Sequence, residues 1–375
     1  MQTKLTLKDS KPHYEILDGL RGVAALLVVL FHVLEVHSGG DHAQQMINHG
    51  YLAVDFFFIL SGFVVGYAYD DRWGKMTLKA FFKRRIIRLQ PMIIIGSIIG
   101  AILFYYQYSP GLGWAGIADV PLWKMLLVMV IGFTLIPVGK GLDIRGWHEM
   151  HPLNGPAWSL FFEYVANILY ALVLHKLSKR VLALLVCIAA GFTIQYALTN
   201  PNGDIIGGWS IDDALQMKIG FIRLAFPFLM GLLMARIGKL RYTKHAFLVT
   251  SLLLVALFSV PRLGGTEQIW LNGLYECFCI LIMFPFIVWL GAGGEVKGKK
   301  GSLVCKFLGD ISYPIYITHF PIAYVYMAWV TNNNMTLAES WPFALLVVVS
   351  AILVAYLSMK LYDIPLRKWL RKKYL

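Results

Sequence analysis

Residues 17–33 read LDGLRGVAALLVVLFHV, a long apolar run with an arginine near one end and a histidine near the other. A stretch of about 20 mostly apolar residues crosses a hydrocarbon core of roughly 30 Å, so the run predicts a membrane helix. Arg21 and His32 are eleven positions apart. At ~100° and ~1.5 Å per residue they return to nearly one face, about 16 Å apart along the axis. That spacing sets Arg21 at one membrane surface and His32 near mid-bilayer. An ionisable side chain at that depth costs ~2.5 kcal/mol or more, so it is expected to face a protein interior or wet cavity and to mark a functional path.

The rest of the chain agrees with that reading. With 375 residues, 58% hydrophobic and 15% charged, it is too apolar for a soluble protein of its length. The expected fold is an all-α polytopic bundle. A short polar tail at 1–15 and a basic cytoplasmic tail at 363–375 flank a transmembrane domain over 16–362. Lys4, Lys8 and Lys11 precede the first run as in a signal peptide, but no small-residue cleavage site follows a short apolar core, so the span is expected to be retained. Cys187, Cys277, Cys279 and Cys305 form no CxxC and have no histidine at metal spacing, so neither a metal site nor a disulfide framework is expected.

The formal charge of +13 fits nucleic acid or membrane orientation, and its distribution decides between them. Lysines and arginines gather before the first run, at 70–88, 176–180, 236–244, 297–306 and 367–373, whereas loops 38–49, 107–121, 199–213 and 331–340 hold none. This is positive-inside patterning, and no nucleic-acid partner is implied. Eleven apolar runs are visible, near 16–37, 50–69, 86–106, 122–138, 157–175, 181–198, 214–235, 245–261, 269–290, 303–330 and 341–361. The charge-free loop at 107–121 and the basic junction at 175–180 must lie on opposite sides, which requires an odd number of crossings between them. The run at 122–138 is short, bounded by Pro121 and Pro137 and interrupted by Gly132. It is therefore expected to be re-entrant or interfacial, leaving about ten transmembrane helices with both termini cytoplasmic and loop 139–155 facing outward.

Four further stretches carry polar groups into this apolar chain. In Asp55-Phe-Phe-Phe-Ile-Leu-Ser61-Gly62-Phe63, Gly62 permits close approach of another backbone or a ligand. Ser61 is a possible nucleophile, though a membrane-helix serine more often bonds its own i−4 carbonyl. Arg85 and Arg88 share a helix face at i,i+3, a paired guanidinium site suited to a phosphorylated cytosolic ligand. The fifth span opens Asn154-Gly-Pro-Ala-Trp158-Ser-Leu-Phe-Phe-Glu163, placing Glu163 about 10 Å below the outer surface, at the depth of His32. A carboxylate and an imidazole at one level predict a His32–Glu163 pair in which the carboxylate orients a general base. Ser312, Tyr316 and His319 fall along one face of a span containing Pro314 and Pro321, and form either a second cavity wall or interhelical hydrogen bonds.

Taken in order, Arg21-x10-His32 after LDG, the DFFFILSGF run, Arg85-x-x-Arg88 with Pro91, Trp158-Ser-Leu with Glu163, ISYPIYITHFP and YDIPLRKWL resemble the acyltransferase 3 family of membrane-embedded O-acyltransferases over nearly the whole chain. The resemblance implies ten membrane helices and transfer of an acyl group, often acetyl, from cytosolic acyl-CoA to a carbohydrate or lipid-linked glycan. It implies that His32 and Arg21 are essential and that Arg85 and Arg88 lie on the donor side. On this reading the nucleotide end of CoA sits against Arg21, Arg85 and Arg88, and the pantetheine arm runs to His32, with Glu163 orienting the base. Asp18, Ser61, Asn154, Trp158, Tyr316 and His319 complete the candidate substrate site. Some relatives carry a fused extracytoplasmic esterase-like domain. This sequence ends at Leu375, so the expectation is transfer within the bundle or to a separate extracytoplasmic acyl-accepting protein, in a bacterial inner membrane. An acyl-enzyme on His32 or Ser61 is a second route. The competing class is a proton-coupled transporter or flippase of a glycolipid or small solute, against which no inverted repeat is visible.

Overall fold

The structure is a computed structural model, and it describes residues 13–41, 43–238, 242–265, 267–296 and 298–375. Lys4, Lys8 and Lys11, with residues 1–12 of the polar tail, lie outside the described residues. So do 239–241 and 297 in two of the basic clusters. Described residues are helical or loop, with no strand beyond two isolated bridges. In chain order the helices are α1 Glu15–Glu35, α2 Ala53–Tyr69, α3 Leu78–Leu103, α4 Leu122–Gly132, α5 Ala157–Leu172, α6 Lys179–Thr199, α7 Ala214–Ile237, α8 Ala246–Ser259, α9 Trp270–Cys277, α10 Phe284–Gly293, α11 Lys299–Asn332, α12 Leu337–Leu357 and α13 Ile364–Tyr374. A π-helical segment joins α9 to α10 and another joins α12 to α13. Each pair therefore forms one continuous rod.

Seven helical segments among the described residues are long and apolar enough to cross a membrane: Glu15–Ser38, Gly50–Arg72, Leu78–Gln107, Lys179–Thr199, Ala214–Ile237, Trp270–Gly293 and Leu337–Tyr374. Three further apolar helices, α4, α5 and α8, are shorter. Helix α11 has 34 residues but carries Lys299, Lys300, Lys306 and Asp310 in its first turns. Side-chain caps fix several starts: Thr77 accepts from the Ala80 amide at 3.2 Å, and Thr336 and Glu339 form a capping box on α12. Each satisfies amides that a helix terminus leaves without partners.

Close backbone contact decides which helices are neighbours. A Cβ on Gly22 of α1 would overlap the Leu308 carbonyl of α11, and one on Gly62 of α2 would overlap the Phe228 carbonyl of α7. Small residues at these crossings let the axes approach as they do in membrane bundles. The α2–α7 contact is also locked by a buried ion pair, Arg223 Nη2 to Asp55 Oδ2 at 2.7 Å. The remaining Arg223 hydrogens go to the carbonyls of Tyr51 at 2.7 Å and Gly207 at 3.2 Å.

The stretch from Phe133 to Pro156 folds over one end of the bundle. Its anchor is Arg145, 1% exposed, which donates to the Pro152 carbonyl and to Gln107 and lies 3.7 Å from the centre of the Tyr324 ring. The Met150 amide donates to the Trp209 carbonyl at 2.7 Å, joining this stretch to loop 200–213.

Candidate active site

Three cavities follow one another along α1. The first, about 410 Å³, lies under the two joined loops and is walled by His32 and Glu35, by Glu149 and by the aromatic rings of Trp147, Trp158 and Trp209. The second, about 90 Å³, holds Ser61, Arg85, Glu163 and Tyr313. The third, about 370 Å³, is a basic mouth with Asp18, Lys306, Arg367 and Arg371 on its wall. Val54 and Tyr316 line both the first and the second, while Arg21, Arg88, Ser312 and Tyr313 line both the second and the third. Lining residues are thus shared from a cluster of arginines to an imidazole, with Val54 and Tyr316 common to the first two cavities.

His32 stands in the last turn of α1, on the wall of the first cavity. Its Nδ1 lies 3.0 Å from Glu35 Oε2, one turn along the same helix. With Nδ1–H donated to the carboxylate, the lone pair resides on Nε2. The ring is clamped edge-on by Phe320 at 4.3 Å and stacks on His319 at 5.6 Å between centroids. Its side chain is 19% exposed, enough for a reactant to reach it from the first cavity.

The expected His32–Glu163 pair is not formed. Glu163 Oε1 instead accepts from Arg85 Nη2 at 2.7 Å and from the Ser61 hydroxyl at 3.0 Å. Equal depth says nothing about azimuth, and an arginine side chain 4% exposed needs a counter-charge to be buried at all. Arg85 and Arg88 both line the second cavity. Arg85 is paired with Glu163 through Nη2, whereas Arg88 has no hydrogen bond or ion pair among the described residues and opens on both the second cavity and the basic mouth. Ser61 is bonded to Glu163 rather than to its own helix.

The remaining predicted residues divide between cavity wall and scaffold. Trp158 faces the first cavity, with Arg223 5.1 Å from its ring. Tyr316 lines both the first and the second cavity, its hydroxyl 2.7 Å from Ser159 Oγ. Asp18 lies in the basic mouth, 3.5 Å from Arg21 and 3.0 Å from His13. Asn154 and His319 do not line the track. Pro321 has no N–H, so the Ile317 carbonyl four residues earlier lacks its helical donor, and Asn154 Nδ2 donates to it at 2.7 Å. His319, 1% exposed, turns Nδ1 toward the carbonyls of Ile315 and Tyr316, both at 2.9 Å, and backs the His32 ring.

Sequence reasoning passed over Glu35, Glu149 and Arg223. The i,i+3 spacing of His32 and Glu35 was the available signal for the first. Glu149 comes from the covering loop, where the Tyr324 hydroxyl donates to it at 2.6 Å and Arg145 Nε lies 3.4 Å away. Burial pushes its carboxyl up to about 7, with Arg145 opposing. Among the described residues, no group of three or more His, Cys, Asp and Glu is placed to hold a metal ion.

Comparison with known proteins adds an independent line. A family described as an acyltransferase domain matches residues 14–360. Protein 2 in the picA locus of Rhizobium radiobacter is 38% identical over 162 residues, 42% of this chain and 80% of that protein. Acyltransferase MdmB of Streptomyces mycarofaciens is 24% identical over 322 residues, 82% of this chain and 78% of MdmB. O-acetyltransferase OatA of Staphylococcus aureus is 24% identical over 374 residues, 94% of this chain and 57% of OatA, so the chain spans little more than half of OatA. No solved structure matches.

Proposed function

This chain belongs to the acyltransferase 3 family and is a membrane O-acyltransferase, and we propose that it moves an acyl group, acetyl foremost, from cytosolic acyl-CoA to a hydroxyl of a cell-surface or lipid-linked carbohydrate. The observation that carries this reading is the series of cavities joined by shared walls from free Arg88 to His32. The basic mouth faces the cytosol, with both termini, and the membrane is a bacterial inner membrane. Helices α5, α8 and α11 bring the seven long apolar segments to ten crossings. Helix α4, 11 residues and so about 16 Å long, is too short to be another.

In this reading the diphosphate of CoA rests on Arg88 and Arg21, and the pantetheine arm passes Tyr316. The ~16 Å from Arg21 to His32 suits its extended length. The acceptor enters the first cavity, where Trp147, Trp158 and Trp209 offer flat apolar faces and Glu149 and Arg223 offer polar contacts. His32 Nε2 takes the hydroxyl proton as the oxygen attacks the thioester carbonyl. The tetrahedral centre collapses with cleavage of the carbon–sulfur bond, and the CoA thiolate takes the proton from the imidazolium. Glu35 holds Nδ1–H throughout and stabilises the imidazolium while it exists. Glu163 has a positioning role, holding Arg85 and Ser61 at the wall of the second cavity.

The test compares, by mass spectrometry, surface glycans of cells carrying the intact chain with those of cells carrying His32→Ala at matched abundance. Loss of an acetyl mass supports the reading. Unchanged glycans, with acyl-CoA failing to bind the purified chain, would sink it.

A further inference from the structure

Five cations of the mouth, Arg21, Arg88, Lys306, Arg367 and Arg371, face four carboxylates, Glu15, Asp18, Asp310 and Asp363, and two of the cations come from the last helix. The stretch expected as a C-terminal tail is α13, continuous with α12 through the π-helical segment Ser358–Asp363. It lies along α3, with Lys83 Nζ 5.8 Å from the Tyr374 ring. Arg367 and Arg371, one turn apart, both face the mouth. Most other charges there are already matched: Arg21 with Asp18 at 3.5 Å, Lys306 with Asp310 at 2.9 Å, and Arg367 with buried Asp363 at 2.8 Å, while Glu15 accepts from Ser302. Arg88 and Arg371 are the two guanidinium groups of the mouth with no hydrogen bond or ion pair among the described residues. Asp363 Oδ1 and Arg367 Nε, although buried, have no hydrogen-bond partner.

The order of these groups matches the order of groups in CoA. Arg88 and Arg21 sit where the mouth meets the second cavity, and Arg371 lines the mouth alone. In CoA the pantetheine joins the diphosphate, and the ribose with its 3′-phosphate lies beyond. We propose that Arg371, on a wall set by the Arg367–Asp363 pair, binds the 3′-phosphate of the donor nucleotide, so that α13 is part of the donor site. The inference rests on acyl-CoA being the donor. A dianionic phosphate meeting a guanidinium forms charge-assisted, bidentate hydrogen bonds, so losing them weakens binding about ten-fold or more.

Calorimetric titration of the full chain in phospholipid-free detergent micelles tests it, with CoA and 3′-dephospho-CoA against wild type and Arg371→Gln. Arg371 is exposed, so its replacement leaves the fold standing, and Arg371→Lys serves as the conservative variant. The expected result is about ten-fold or greater loss of CoA affinity in Arg371→Gln, partial recovery in Arg371→Lys, and equal dephospho-CoA affinity in all three. Equal losses for both nucleotides, or no loss for either, overturn the assignment while the donor reading stands. An unchanged CoA affinity with weakened binding of added phosphatidylglycerol would make Arg371 a lipid-headgroup contact and also overturn it. Failure of the wild type to bind CoA removes the donor reading and this inference together.

Discussion

Replacing Glu35 by Gln tests which carboxylate serves the imidazole. The change is nearly isosteric and leaves an amide oxygen able to accept from His32 Nδ1, so it removes charge while keeping shape. A hydrogen bond to a charged group contributes about 1.5–3 kcal/mol. Glu35 is 40% exposed at its side chain, and solvent screening lowers that to about 1–2 kcal/mol. The term acts on the imidazolium that forms during transfer, so its loss falls on the transition state. At 1.36 kcal/mol per decade, the expected fall in kcat is roughly 5- to 30-fold, with CoA affinity within two-fold of wild type. The assay is radiolabelled acetyl transfer from acetyl-CoA to acceptor-bearing membranes at saturating donor. Glu163→Gln is the control. It leaves Arg85, 4% exposed, without its counter-charge and is expected to lower stability by about 3 kcal/mol, seen as an earlier thermal transition. A wild-type kcat in Glu35→Gln, together with a large kcat loss in well-folded Glu163→Gln, would refute the reasoning.

Three further outcomes follow from the packing. Glu149 has a folded pKa of about 7 against an ordinary 4.5, so the native state binds its proton more tightly than the unfolded chain. Its contribution is present below about 4.5 and is lost as pH rises through 7, a difference of order 3 kcal/mol. Thermal scans across that range should show wild type losing stability relative to Glu149→Gln, and a constant gap between the two would contradict this. Gly62→Ala drives a methyl into the Phe228 carbonyl and should cost about 1–3 kcal/mol, whereas an unchanged melting temperature would mean that α2 and α7 do not cross there. Arg223→Gln strands Asp55, which is 0% exposed, and should cost about 3–5 kcal/mol. Arg223→Gln with Asp55→Asn should recover much of it, and no recovery would show that Arg223 acts mainly through the Tyr51 and Gly207 carbonyls.

The sequence exposes what periodicity and composition control. The apolar runs fall on helices, and the close approach read at Gly62 occurs against α7. Azimuth was not legible. Glu163 and His32 can be counted to one depth, but which faces meet depends on crossings made by residues hundreds of positions apart, such as Gly22 against Leu308. The nearer partner, Glu35, was legible by helix geometry alone, yet the charge-burial logic pointed across the bundle. Asn154 shows the same limit: its role is set by the donor missing at Pro321, which becomes visible only when α11 lies beside the loop. From sequence the covering loop reads only as an outward segment. That Arg145 would fold it inward and bring Glu149 onto the cavity has no periodic signature.

The most direct measurement is single-turnover acetyl transfer by purified His32→Gln, alongside its CoA affinity by calorimetry. Loss of a positioned general base costs typically 10²- to 10⁴-fold. The account predicts a fall of that size in the transfer rate with CoA binding within about two-fold of wild type, because the nucleotide is held far away at Arg88. Transfer within ten-fold of wild type, or a defect confined to CoA binding, would contradict it.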